Sequence, residues 1–285
     1  MPAADHDNQP GERVTRPLLT AVAVSVLAAC AGRPAPEPIY ELRATEQPLR
    51  YDLASSQTTV IELPTGGEQE IVTSTDAVLT LSYGAPAEAG LPFVLTFEEL
   101  DVSMQGMPGG ADLSGVIGEP IRGTVGSDGA ITVEEAPEVD VPGFDGGGLA
   151  DMISPLMIPL PPDADPSAES WPLQRSRDVG GGMTGESSFD GTVRFAPETA
   201  WQGQPARILV SEGDLRQRAS GQPPGAPGEV DIDLRGESTT TYAWDPVRGV
   251  VLHVDQEAEL EGTLSMQNMG FPMATTASQT FELLP

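Results

Sequence analysis

From residue 71 onward the chain alternates with a period of two. Ile71, Thr73, Thr75, Ala77, Leu79, Leu81 and Tyr83 fall on one side of an extended segment, and the more polar Val72, Ser74, Asp76, Val78, Thr80 and Ser82 fall on the other. That alternation predicts a half-buried antiparallel strand. Phe93, Leu95 and Phe97 open the next strand, and after Glu98-Glu99 the apolar set moves to Leu100, Val102 and Met104, so a bulge is expected at Glu98-Glu99. Residues 119–135 read as a hairpin around Ser127-Asp128-Gly129, with Gly129 left-handed, Val125 opposite Ile131 and Gly123 opposite Val133. Strand signals return at Trp171 and over 189–195, 206–210, 230–244, 250–264 and 275–284.

The middle of the chain breaks this rhythm. Residues 143–162 carry a short apolar run, Leu149 to Leu160, bounded by glycines and prolines, and Gly147 to Ser154 is expected to form one short helix stopped by Pro155. The fold class that follows is mainly β: a curved antiparallel sheet or open barrel. Pro48-Leu49-Arg50 echoes Pro172-Leu173-Gln174, and Gly90-Leu91-Pro92 echoes Gly203-Gln204-Pro205. These echoes suggest two duplicated meanders, 48–143 and 163–285, joined by the helical segment within one β-rich domain, 48–285.

The N-terminus changes the picture of where the protein works. Pro17 to Ala29 is an apolar run of signal-peptide length, too short to cross a bilayer. Leu27-Ala28-Ala29-Cys30 resembles the lipobox of bacterial lipoproteins. That resemblance implies a signal peptide over 1–29, lipidation of Cys30, and a membrane as partner through the N-terminal lipid. Ala31 after the cysteine leans toward the periplasmic face of the outer membrane. The Pro-rich stretch 30–47 is expected to be a tether. Cys30 is the only cysteine, so the exported body has no internal disulfide.

Charge excludes one class of partner. The 285 residues carry 43 acidic and 14 basic side chains, all the latter arginine, for a formal charge of −29. Such a surface repels phosphate backbones, and no nucleic acid is expected as partner.

A second resemblance rests on Pro159-Leu160-Pro161-Pro162, an acidic loop, Trp171 and the turn Gly203-Gln204-Pro205-Ala206. This body looks like an uncharacterised family of secreted β-rich bacterial lipoproteins, which implies duplicated antiparallel sheets and no assigned function. In architecture alone it is similar to the open half-barrels that carry lipids or lipoproteins across the bacterial periplasm.

Several chemistries lack their residues. Outside the signal there is one histidine, His253, and there is no lysine, no Gly-x-Ser-x-Gly elbow and no phosphate loop. The Gly-x-Gly-x-x-Gly match at 180–185 precedes a strand pattern instead of the required helix. No catalytic residue, metal site or cofactor is assigned. Carboxylate chemistry alone stays open, and two carboxylates converging in a pocket would favour a hydrolase.

The long hairpin 229–262 is the most informative constellation. If partners sum to 494, Glu237 faces Glu257, Asp233 faces Glu261, Arg235 faces Glu259 and Thr241 faces His253. Such an acidic ladder is either a solvated outer face or a cation-bridged one. On the opposite face the side chains shrink to Gly236, Ser238 and Ala258, leaving volume on a curved sheet. The segment with Leu149, Met152, Ile153, Leu156, Met157 and Ile158 is the natural object to meet it, either as a core plug or as a lid over an apolar ligand. Non-catalytic binding or structural work in the cell envelope is the reading these features favour. A periplasmic carrier of a lipid and a carboxylate-dependent hydrolase are the alternatives.

Overall fold

The computed structural model describes residues 40–64, 66–105, 113–126, 129–137, 152–165, 167–179, 183–222, 228–267 and 269–285. The expected signal peptide 1–29, Cys30, Leu149 and most of the expected helix lie outside these residues. The strands are β1 (Leu49–Leu63), β2 (Gly67–Tyr83), β3 (Leu91–Gln105), β4 (Pro120–Val125), β5 (Ile131–Glu135), β6 (Ser170–Asp178), β7 (Met183–Phe195), β8 (Ala200–Trp201), β9 (Gln204–Pro205), β10 (Arg207–Gly221), β11 (Val230–Asp245), β12 (Val250–Met266) and β13 (Met269–Leu283). All but β8 and β9, which pair with each other, belong to one antiparallel sheet of order β5-β4-β3-β2-β1-β13-β12-β11-β10-β7-β6. The chain thus enters in the middle of the sheet, meanders to one edge, resumes at the other and meanders back until β13 pairs with β1.

The expected curvature is present. Strands β5 and β6 are opposite edges with no ladder between them, yet the Arg175 guanidinium of β6 stands where a side chain on Gly129, beside β5, would have to go. Arg175 Nη2 also donates to the Met157 carbonyl at 2.9 Å. The sheet has therefore curled until its edges nearly meet, an open barrel. Glycine on the concave face permits this: a Cβ on Gly236 would collide with the carbonyl of Glu259 on the neighbouring strand.

The core is organised in rows that run across the strands. Leu209, Tyr242, Val254, Phe281, Leu53 and Ala77 are successive cross-strand partners from β10 to β2, and all are buried. The segment following residue 151 packs against this apolar end of the concave face. Ile153, Leu156, Met157 and Ile158 are at most 2% exposed, and the Tyr83 hydroxyl donates to Met157 Sδ at 3.4 Å. Each such buried side chain contributes roughly 1.5–3 kcal/mol.

Local expectations meet the structure in detail. Val125 pairs with Ile131 and Gly123 with Val133, and Gly129 has φ of 77°. Val78 pairs with Glu99 and Leu79 with Phe97, so Glu98 is the extra residue of the expected bulge. A strand, β7, follows the Gly-rich run. Three expectations change. The helical residues Met152 and Ile153 end just before Pro155 but run on into a 3-10 turn, Ser154–Leu156, that contains it, because the fixed φ of proline suits a first turn. Residues 40–47, read as the end of a tether, are docked: Tyr40 is buried edge-on to Phe195 at 5.7 Å, and Thr45 N–H donates to the Tyr83 carbonyl at 3.0 Å.

The third change is the register of the long hairpin. Glu237 pairs with Glu259, Thr239 with Glu257, Arg235 with Glu261, Asp233 with Thr263, and Ala243 with His253. The sum is 496 and not 494, because the turn is four residues long and a bulge between Ala243 and Trp244 adds one residue to β12. Asp245 Oδ1 fixes that turn by accepting from the N–H groups of Val247 and Arg248 at 2.8 and 3.0 Å. Along residues 233–242 and 254–261 a shift of two preserves which face each side chain occupies, so the assignment of faces stands there while the partners move.

Candidate ligand cavity

One step along the strands from the apolar row, the concave face turns polar. Ser211, Thr240, Gln256, Gln279, Ser55 and Thr75 are successive partners across six strands. The next row is small: Gly191, Gly213, Ser238, Ala258 and Ala277 occupy five adjacent strands. Beyond it Phe189, Leu215 and Leu260 restore bulk. Phe189 lies over the Gly191–Gly213 pair, where a Cβ on either glycine would clash with its ring. Away from that ring Ser238, Ala258 and Ala277, between the polar row and Leu260, line a cavity of about 410 Å³. That size lies within the range of small-molecule sites.

The floor toward the apolar end is closed by Ser154 and Pro155 of the buried segment, and the far wall carries Arg175 and Arg177 of β6. The polar groups of the walls are tied in place. Gln279 Nε2 donates to the Met152 carbonyl. The Ser238 hydroxyl donates to the Glu257 carbonyl at 3.2 Å, and the Thr59 and Thr275 hydroxyls share a bond at 3.1 Å. Tyr242 reaches the floor, and burial pushes its phenol up from its ordinary value, against the pull of hydrogen bonds with Thr240 and Arg175. It is a neutral hydroxyl at any physiological pH.

The expected ligand-lining residues separate. Ser238 and Ala258 line the cavity, and Gly236 lies on the same face one row further on. Ile153, Leu156 and Met157 are core beneath it, while Met152 is half-buried and contributes its carbonyl. Sequence reasoning missed the polar wall, Ser55, Gln57, Gln217, Gln256 and Gln279, and the arginines of β6. Counting cross-strand partners along β11 and β12 is the one signal that reaches Gln256, since it shares the face of Ser238 and Ala258.

Charge is divided between the two faces. On the convex side Asp190, Asp214, Glu237 and Glu259 form a row across four strands. Nearby, Arg216 donates to both carboxylate oxygens of Asp233 at 3.1 and 3.2 Å and holds that carboxyl below its ordinary range. Among the described residues, no group of three His, Cys, Asp or Glu converges as metal ligands do. Among the described residues lining the cavity none is acidic, so the converging carboxylates that would favour a hydrolase are not found there.

His253 lies on the convex face, away from the cavity. It is stacked on Trp201 of the small ribbon at 4.2 Å between rings, over a minor core of Ala206, Ile208, Ala243, Val250 and Leu252. Its Nδ1 is buried without a hydrogen-bond partner.

No protein-family model matches the chain, and no curated protein matches it in sequence. Among solved structures, one of lipovitellin, described for its lipid–protein interactions, is similar to this chain with a TM-score of 0.52 and 14% identity. The match covers 85% of this chain and 26% of that one, so this chain spans about a quarter of lipovitellin's length. At that identity the likeness is one of fold: a large, curved antiparallel sheet.

Proposed function

We propose that this protein is an exported lipoprotein, anchored through Cys30, whose open barrel binds an amphiphilic lipid without chemically altering it. The observation that carries the reading is the cavity itself. Three adjacent strands place small side chains, Ser238, Ala258 and Ala277, side by side on its wall, between Ser154 and Pro155 at one end and Leu215 and Leu260 at the other. Its volume of about 410 Å³ lies within the range of small-molecule sites. The lining mixes leucine and phenylalanine with amides and hydroxyls, which suits a molecule that has both a chain and a head. Support also comes from the shared fold with lipovitellin, whose lipid–protein interactions have been described. The lipobox-like Leu27-Ala28-Ala29-Cys30 supports an address at a membrane, where such ligands are found.

Titration of the full-length protein with a fluorescent anthroyloxy fatty acid tests this reading. Saturable binding is expected at one site, and Ala258→Phe, which fills the small row, should weaken it at least tenfold while leaving the melting temperature nearly unchanged. Equal binding by both proteins, or none by the wild type, would contradict it.

A further inference from the structure

The concave face is graded along the strands. Nearest the buried segment, the row Ser211, Thr240, Gln256, Gln279 and Ser55 carries hydroxyls and amides, groups that can both donate and accept hydrogen bonds. Leu215 and Leu260 stand two rows further out in the same cavity. Every second residue of a strand keeps its face, so Ile61, Leu264 and Met273 follow beyond them on the concave side. These three side chains and Leu215 are half-buried, which leaves part of their apolar surface uncovered. From Gln256 to Leu264 the strand rises about 27 Å, at roughly 3.4 Å per residue. One acyl chain spans about half of a bilayer's ~30 Å hydrocarbon core, so a chain fits lengthwise beyond the polar row.

We propose that the cavity binds its lipid head-first: a hydrogen-bonding head group is set against Thr240, Gln256 and Gln279, and the acyl chain runs outward past Leu215 and Leu260 toward Met273 and Leu264. This rests on the lipid-binding reading above and gives its ligand a direction and a kind of head. The reverse order sets a methyl end against hydroxyls and amides, stripping their water and returning nothing that hydrogen-bonds. It also turns the head away from that row, toward Leu260 and Leu264. Head-first binding pairs each part of the ligand with its own kind. The polar row is moreover held ready, since Gln279 Nε2 donates to the Met152 carbonyl and Thr240 hydrogen-bonds Tyr242. Groups already fixed lose little freedom when a ligand binds them.

The tryptophans of the core can report the direction. Trp171 shares the row of Ser211 through Val193, and Trp244 is buried in the core beneath. Stearates carrying a nitroxide at carbon 5 or at carbon 16 are titrated into the full-length protein, once as competitors of the anthroyloxy probe and once with tryptophan fluorescence as the readout. Both should displace the probe, and at saturation the carbon-5 label, next to the head, should quench at least twice as strongly as the carbon-16 label. Gln256→Leu should weaken octadecanoate and octanoate alike, at least fivefold. Leu264→Gln should weaken octadecanoate at least fivefold and leave octanoate, whose chain ends short of that row, unchanged. Any other order of quenching, with the probe displaced, would overturn the head-first direction and leave the lipid-binding reading intact. Gln256→Leu without effect would overturn the place given to the head, and Leu264→Gln acting on both chain lengths or on neither would overturn the path given to the chain. Failure of both labelled stearates to displace the probe, or no binding of the probe itself, would overturn the lipid-binding reading and this inference together.

Discussion

His253 is a residue whose surroundings refuse it a proton. The ring is 9% exposed and sandwiched against Trp201. Desolvation lowers its pKa from the ordinary value, outweighing the opposite pull of Asp255, Glu282 and the Phe281 backbone. In the folded protein the imidazole stays neutral at pH values where the unfolded chain protonates it. Stability therefore falls as the pH drops below about 6.5, since the unfolded state then binds the extra proton, and this group adds no pH dependence above that. Melting curves at pH 7.5 and 6.0 should show the wild type losing stability at the lower pH, and His253→Phe, which keeps the stack, losing less. An identical loss in both proteins would assign the effect to other groups. None of this was legible beforehand: the sequence placed His253 opposite Thr241, and the bulge that moves it opposite Ala243 leaves no mark in the pattern of apolar positions.

Among the elements, the buried segment after residue 151 decides between a plug and a lid. Met157 is fully buried, receives the Tyr83 hydroxyl on its sulfur and offers its carbonyl to Arg175. A charge placed there has no partner, so Met157→Asp should destabilise the fold by about 3 kcal/mol or more. For a domain of this size that is a fall of roughly 6–12 °C in Tm. A variant that melts like the wild type would mean that the segment lifts from the sheet at little cost. The Leu/Met-rich composition pointed to this contact because the concave face needed something apolar to cover it. The exact turn did not follow from composition, since Pro155 can both end a helix and begin a 3-10 turn. Strand β1 shows the complementary blindness. Tyr51 and Leu53 mark its inward face, but Ser55, Gln57 and Thr59 continue that face as polar residues, so the alternation fades where the cavity begins. The second half of β10, with Gly213 and Gln217 facing inward, fades for the same reason.

At the scale of the molecule, the regular core was readable and the lining of the cavity was not. Binary patterning identifies an interior by its apolar residues, and a cavity lined with amides, hydroxyls and guanidinium groups imitates an exterior. The partition of charge appears only once the strands are in register, with Asp190, Asp214, Glu237 and Glu259 outside and Ser238, Gln256 and Ala258 inside. The central claim is that this inside is occupied by a lipid in the cell. Native mass spectrometry of the full-length protein, released gently from its own membrane, measures this most directly, beside Ala258→Phe prepared in the same way. The account predicts a noncovalent lipid of defined mass on the wild type, over and above any acylation of Cys30, and its loss from the variant. A wild type without such a mass, or a variant that carries it in equal amount, would contradict the account.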